Sequence, residues 1–246
     1  LRSGSITQGQ KVEEYGRALA NYAGATYGVA VSSGSAALHL SISALEIGPG
    51  DEVITTPMTF CATANAVLYQ GGDVIFVDIA ENTLNIDPNR IEEAITNRTK
   101  AIIPVDFRGH PAALPEIWQI ADQYGLKVIE DGSHSIGSSY TWKGKEYRCG
   151  DGMHADLCTF SFHPVKHITT GEGGAILTNN ADLSERLSLL KKHGIDRNEQ
   201  LFCERKRVGP WIYDMFALGF NYRLTDFQAA LGISQLKKLT KITKRR

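Results

Sequence analysis

Apolar positions along the chain fall into short, nearly unbroken runs, separated by longer stretches in which apolar residues recur every three or four positions. The runs at 28–32, 52–55, 74–77, 101–105, 127–130, 157–160 and 175–178 predict seven strands. They do not alternate apolar with polar, as expected of strands covered on both faces. The helical spacing predicts helices over 12–23, 35–45, 62–70, 88–94, 115–124 and 183–193. Regular exchange of strand and helix predicts an α/β fold: a mostly parallel seven-stranded sheet flanked by helices, joined by right-handed crossovers. Ligands of such sheets sit at the carboxyl ends of the strands. The polar, charged stretch 197–210 predicts an exposed loop, and no internal repeat or low-complexity tract interrupts the pattern.

Composition narrows this picture a little. The 246 residues are 42% hydrophobic and 22% charged, with a net charge of −1. That balance carries no electrostatic footprint for nucleic acid or an anionic membrane. No apolar run approaches the length of a membrane span. Cys61, Cys149, Cys158 and Cys203 are widely spread without a Cys-x-x-Cys pair, which predicts a reduced, cytoplasmic protein. Lys237, Lys238 and the basic run from Lys241 predict a solvated helix face. The chain starts without methionine and stops inside a helical pattern, so both ends read as cut.

The polar residues near the predicted strand ends carry the chemistry. Ser32-Ser-Gly-Ser-Ala-Ala-Leu38 follows a strand and opens a helix. Small residues let backbone N–H groups approach an anion, and the helix dipole favours a phosphate there; an ordinary serine–glycine helix start has the same composition. It is not a Walker loop, because no Gly-Lys-Ser/Thr closes it. Asp131 ends the run Lys127-Val-Ile-Glu-Asp-Gly-Ser-His134, where it could cap a helix, ligate a metal or hold a pyridinium nitrogen. His134 could stack on a ring, bond to it or simply pack.

Lys166 stands between Phe160, Phe162, Pro164 and Val165 on one side and Gly171-Glu-Gly-Gly174 on the other. Most lysines are solvated; this one is expected to be partly buried, with an amine freed for imine formation by desolvation. Ser161 could bond a phosphate. An acid for a pyridine nitrogen and a lysine for a Schiff base are what pyridoxal phosphate (PLP) requires of a protein, so PLP is the expected cofactor.

Other polar residues admit two readings. Thr59-Phe60 is expected to begin a helix after a strand and loop, and Phe60 could stack on a planar ring or fill the core. Asn221 and Arg223 alternate in an apolar setting before Thr225, a helix cap. Cys149, His154, Cys158, His163 and His167 form a competing metal constellation. Pro164 interrupts the His163–His167 spacing and the cysteines lack close pairing, so no metal is expected.

Together these segments resemble the DegT/DnrJ/StrS-type sugar aminotransferases, built on the type I, aspartate aminotransferase-like PLP fold. The resemblance runs from Gly4-Ser-Ile-Thr-Gln-Gly9 to Gly232. Ser161-Phe-His-Pro-Val-Lys-His-Ile-Thr-Thr-Gly-Glu-Gly-Gly174 and Gly219-Phe-Asn-Tyr-Arg-Leu-Thr-Asp-Phe-Gln-Ala-Ala-Leu-Gly232 look nearest to members of the pseudaminic acid pathway. Those act on UDP-linked 4-keto-6-deoxy-N-acetylhexosamines, with glutamate as the usual donor.

The resemblance implies that Lys166 is the Schiff-base lysine and proton shuttle and that Asp131 holds the pyridine nitrogen. His134 stands where the family often has glutamine. Gly34, Ser35 and Ser161 would surround the phosphate and Phe60 would lie against the ring. Asn221 and Arg223 would reach the cofactor site of the partner in a homodimer, Arg223 toward the substrate. Ser5, Ile6 and Thr7 would sit at the substrate edge.

The implied division is an N-terminal segment and first helix (1–24), a PLP-binding large domain (25–235) and the start of a linker helix (236–246) toward a smaller C-terminal domain. The family also contains sugar dehydratases with histidine in place of the lysine, aminotransferases acting at C3 or on dTDP- or GDP-sugars, and non-catalytic regulators. Retention of Lys166 and Asp131 favours a transaminase, with His167 next door to the lysine.

Overall fold

The seven apolar runs pair into one sheet in a computed structural model, which describes residues 6–196, 211 and 213–245. Ser5 and the expected loop at 197–210 lie outside the described residues. In chain order the strands are β1 (Tyr27–Val31), β2 (Glu52–Thr55), β3 (Asp73–Phe76), β4 (Thr99–Ile102) and β5 (Lys127–Asp131). A separate hairpin follows, β6 (Ser139–Trp142) and β7 (Lys145–Arg148), and then β8 (Leu157–Ser161) and β9 (Gly174–Thr178). The order across the sheet is β1-β9-β8-β5-β4-β2-β3, and only β9 runs antiparallel to its neighbours.

Helices cover both faces, which is why the strands are apolar throughout. Val29, Val31, Ile103, Ile129, Leu157 and Ile176 pack on α2 (Gly34–Ala44), α3 (Ala62–Tyr69) and α5 (Ala181–Leu190). On the other face, Ala30, Cys158, Phe160 and Leu177 meet α1 (Gln10–Ala23), and Ile54, Ile102 and Val128 meet α4 (Leu114–Tyr124). Beyond them lie α6 (Asp226–Leu236) and α7 (Leu239–Thr243), where Lys237, Lys238, Lys241 and Lys244 are exposed around buried Leu239, as the basic pattern predicted. Among the described residues no helix is long and apolar enough to cross a membrane.

Three expectations need correction. The stretch 88–94 forms two single 3-10 turns, Pro88–Arg90 and Glu92–Ala94, because Ile91 is its one fully buried residue. Helix α5 stops at Leu190 rather than 193: Phe220 N–H takes the Leu190 carbonyl (2.7 Å), and His193 and Gly194 turn left-handed (φ 67° for each). Thr59 and Phe60 sit in the turn before α3, not in the helix. The β6–β7 hairpin is an addition; Lys143 and Gly144 both take positive φ (49° and 77°), as a two-residue turn with the twist of its strands requires.

Candidate active site

A cavity of about 320 Å³ opens at the carboxyl ends of the central strands, and Gly34, Ser35, Phe60, Asp131, His134, Ser161 and Lys166 all line it. Parallel strands end there together, so β5 and β8 deliver Asp131 and Ser161 to one rim.

The start of α2 forms the first wall. Ser33 caps the helix, its Oγ accepting from Ala36 N–H (3.0 Å). The first-turn N–H groups of α2 therefore face the rim where Ser161 stands. A Cβ on Gly34 would lie 2.8 Å from the Ser161 Cβ, and one on Gly174 would lie 2.2 Å from the Ser33 carbonyl. These two glycines let the helix start approach the ends of β8 and β9. Free backbone donors, the positive end of the helix dipole and two hydroxyls make an anion cradle.

Asp131 forms the floor. It is buried, 4% exposed, and its Oδ2 accepts from Thr63 Oγ1 (2.7 Å) while Oδ1 accepts from Ser133 N–H (3.2 Å). Thr63 is itself bonded to Thr59 (2.8 Å). These donors hold the carboxylate in one orientation, facing the cavity.

Lys166 comes from the loop joining β8 to β9. Both loop ends are tied: Phe162 N–H donates to the Gly173 carbonyl (2.8 Å) and Thr170 N–H to the Phe162 carbonyl (3.0 Å). Lys166 N–H closes a turn on the His163 carbonyl (2.9 Å). The side chain is half-buried as expected. Phe160 and Phe162 are buried in the core beneath α1 and do not line the cavity, whereas Val165, which does, is 68% exposed. Burial lowers the lysine pKa, and the charge of Asp131 opposes that shift. His134 feels both charges: its pKa falls through burial and the Lys166 charge, against the pull of Asp131.

Phe60 is 71% exposed at the cavity edge, which removes the core-filling reading. The metal constellation does not assemble. Cys149 and Cys158 are buried and His154 Nδ1 bonds the Tyr140 hydroxyl (2.8 Å). His163 stands at the cavity, 3.9 Å from Glu172.

Ile6, Thr7, Asn221 and Arg223 lie outside this cavity but belong to one structural unit. Thr7 bridges Thr225, and the buried Asp226 carboxylate accepts from Gly9 N–H (2.7 Å) and Lys11 N–H (2.9 Å). Thr225 N–H bonds the Gln228 side chain (3.2 Å), fulfilling the predicted helix cap. Gln228 in turn donates to the Glu172 carbonyl (2.9 Å), fastening this unit to the lysine loop. Asn221 is exposed.

Sequence reasoning missed Thr63, Ser133 and Glu172, named Thr59 only as a helix start and offered His163 only as a metal ligand. Thr59 and Thr63 are four residues apart, one just before and one in the first turn of a mostly apolar helix, and that spacing was the available signal.

The chain is 44% identical over 242 residues to the UDP-4-amino-4,6-dideoxy-N-acetyl-β-L-altrosamine transaminase of Campylobacter jejuni, covering 97% of this chain and 60% of that protein. It superposes on Helicobacter pylori PseC, an aminotransferase of pseudaminic acid biosynthesis, with a TM-score of 0.86 and 32% identity, over 98% of this chain and 61% of that one. For NtdA of Bacillus subtilis, solved with bound cofactor PMP, the values are 0.82 and 38%, over 98% and 51%. The chain spans 60–62% of the lengths of the first curated relatives it matches. The DegT/DnrJ/EryC1/StrS aminotransferase family matches residues 1–246 in full, and the chain belongs to that family.

Proposed function

We propose that this chain is the PLP-binding part of a nucleotide-sugar aminotransferase, one that moves an amino group from glutamate to C4 of a UDP-linked 4-keto-6-deoxy-N-acetylhexosamine. The observation that carries the reading is the meeting of Lys166 and Asp131 in one cavity beside the α2 start. The residues suit the group. Gly34 leaves open the space a Cβ would fill against Ser161, a buried carboxylate faces the floor, and burial favours the neutral form of the lysine amine. The resemblance to the Campylobacter transaminase and to PseC supports the UDP-sugar and C4 assignment.

PLP, when bound, supplies the electron sink for amino-group exchange. The first turn of α2, Ser35 and Ser161 would hold its phosphate. Asp131, oriented by Thr63 and Ser133, would keep the ring nitrogen protonated. Lys166 would hold the cofactor through Nζ and, once released, accept and return a proton at that atom. Its lowered pKa favours both tasks. His134 and Phe60 would confine the ring.

The working protein is a cytoplasmic homodimer in this reading. Asn221 and Arg223 lie outside the lining of their own cavity and would reach the partner's, and the exposed apolar side chains of Trp211, Met215 and Leu218 (69%, 67% and 82%) would be covered in that dimer. Ile6 and Thr7 join the same edge.

Borohydride reduction of the chain incubated with PLP, followed by peptide mass mapping, tests the reading. A phosphopyridoxyl group on the Lys166 peptide is the expected result; a folded protein without it would sink the cofactor assignment. Amino transfer to UDP-, dTDP- and GDP-linked keto sugars then tests the substrate.

A further inference from the structure

The residue before Asp131 opens a second question. Side chains alternate along a strand, so Glu130 points to the face opposite the cavity. There Asp106, Glu130 and Cys149 are all buried, and one carboxylate oxygen of each acid and the Cys149 Sγ lie within 4.8 Å of one another. Asp106 accepts from Ser135 Oγ (2.5 Å) and Ala112 N–H (2.9 Å). Glu130 Oε2 accepts from Gly150 N–H (3.0 Å), but Oε1 is buried with no hydrogen-bond partner. The neighbouring titratable groups are the Cys149 and Cys158 thiols and the Tyr140 hydroxyl. Burial and the two acids push all three up, so they stay neutral.

Two buried carboxylates this close do not both ionise without a cation between them. Burial raises both acids, and the charge of Asp106 raises Glu130 further. Ser135, Ala112 and the Cys149 thiol stabilise an anion on Asp106, against Gly150 and the Cys158 thiol on Glu130, so the proton belongs on Glu130. Placed on Oε1, it turns an orphan acceptor into a donor toward Asp106.

We propose that Asp106 and Glu130 share one proton at neutral pH, and that this acid pair positions Asp131 and His134 on the cavity side. The connections are short. Glu130 adjoins Asp131, and Asp106 N–H donates to the Asp131 carbonyl (3.1 Å). Ser135, bonded to Asp106, follows His134, and a Cβ on Gly109 would lie 2.7 Å from the His134 carbonyl. The pair thus ties the turn that carries Phe107 to the turn that carries Ser133 and His134, all of which line the cavity.

Folding then takes up a proton. Glu130 is ionised in the unfolded chain above the ordinary glutamate range and neutral in the folded one. Because its folded pKa is the higher, its stability contribution is complete below that range and is lost as pH rises toward the folded value. Across this window the unfolding constant of the wild type rises about tenfold per pH unit relative to Glu130→Gln, which keeps a donor and has nothing to titrate.

The experiment is isotope-edited infrared spectroscopy of the cofactor-free chain with carboxyl-labelled glutamate, paired with denaturant unfolding of wild type and E130Q from about pH 6 to about pH 8. A protonated glutamate band at neutral pH that E130Q removes, with diverging unfolding constants, is expected. Absence of the band from the folded wild type, or parallel pH slopes, would overturn the shared proton. Should E130Q not fold, the wild-type band alone decides.

The positioning role rests on the PLP reading of the cavity and is tested separately. Glu130→Met should weaken PLP binding about tenfold, with Glu130→Gln restoring it; equal PLP affinity in E130M and wild type would remove that role. The infrared result does not involve PLP, so failure of either reading is recognisable by itself.

Discussion

Glu130 and Asp131 are consecutive carboxylates on one strand, 2% and 4% exposed, yet their surroundings ask opposite things of them. Asp131 faces the cavity with Thr63 and Ser133 donating to its two oxygens, within the field of the Lys166 ammonium. Glu130 faces a closed pocket, where its nearest charged neighbour is another acid. Burial by itself therefore does not mark a functional acid. What separates the two is the supply of donors and a cation on one face of the strand and their scarcity on the other.

That contrast is easiest to break at the lysine. Lys166→Ala should abolish borohydride trapping of PLP in the cavity, since among the described residues no other lysine lines it; trapping that persists at a different cavity residue would relocate the chemistry. The comparison of the two acids is sharpened next. Asp131→Asn should weaken PLP binding by about 30-fold or more, as expected when one partner of a buried charge pair is lost, whereas Glu130→Gln should stay within about threefold. Equal losses by equilibrium dialysis would erase the distinction between the faces.

Smaller effects follow at the residues that shape the cavity side. Gly34→Val places side-chain carbon against Ser161 and should lower PLP affinity about tenfold, with little change for a phosphate-free analogue. Thr63→Val removes one hydrogen bond to Asp131 without changing volume much, and about fivefold is expected. The pH dependence of PLP capture carries its own sign. Only the neutral amine attacks the aldehyde, and burial lowers the Lys166 pKa. The trapping rate should therefore rise with pH and level off earlier than for an exposed lysine, and a plateau at the ordinary lysine value would contradict the burial.

Much of the architecture was legible before the structure. The seven strands were readable because helices cover both sheet faces, which leaves continuous apolar runs such as Val128-Ile129 and Cys158-Thr-Phe160. Asp131, Lys166, Ser161 and the α2 start were readable because polar residues that close such runs gather at one sheet edge. The hairpin was less so: Tyr140 and Trp142 alternate with exposed residues in strands of four residues each, too short to stand out. Segment 88–94 misled because its helical spacing has a single buried anchor, Ile91.

The linear order of residues determined the sheet, the strand-end chemistry and the resemblance to sugar aminotransferases, since these depend on local periodicity and contiguous motifs. Tertiary structure alone decided which acid meets which partner. Thr63 and Asp131 are 68 residues apart and are joined because the parallel strand order brings the start of α3 and the end of β5 to one edge of the sheet. Asp106 and Glu130 come together through β4 and β5 in the same way. Local propensity carries no information about such pairs; they exist because crossover connections bring distant strand ends to one edge, where a single residue's alternation separates the cavity acid from the buried one.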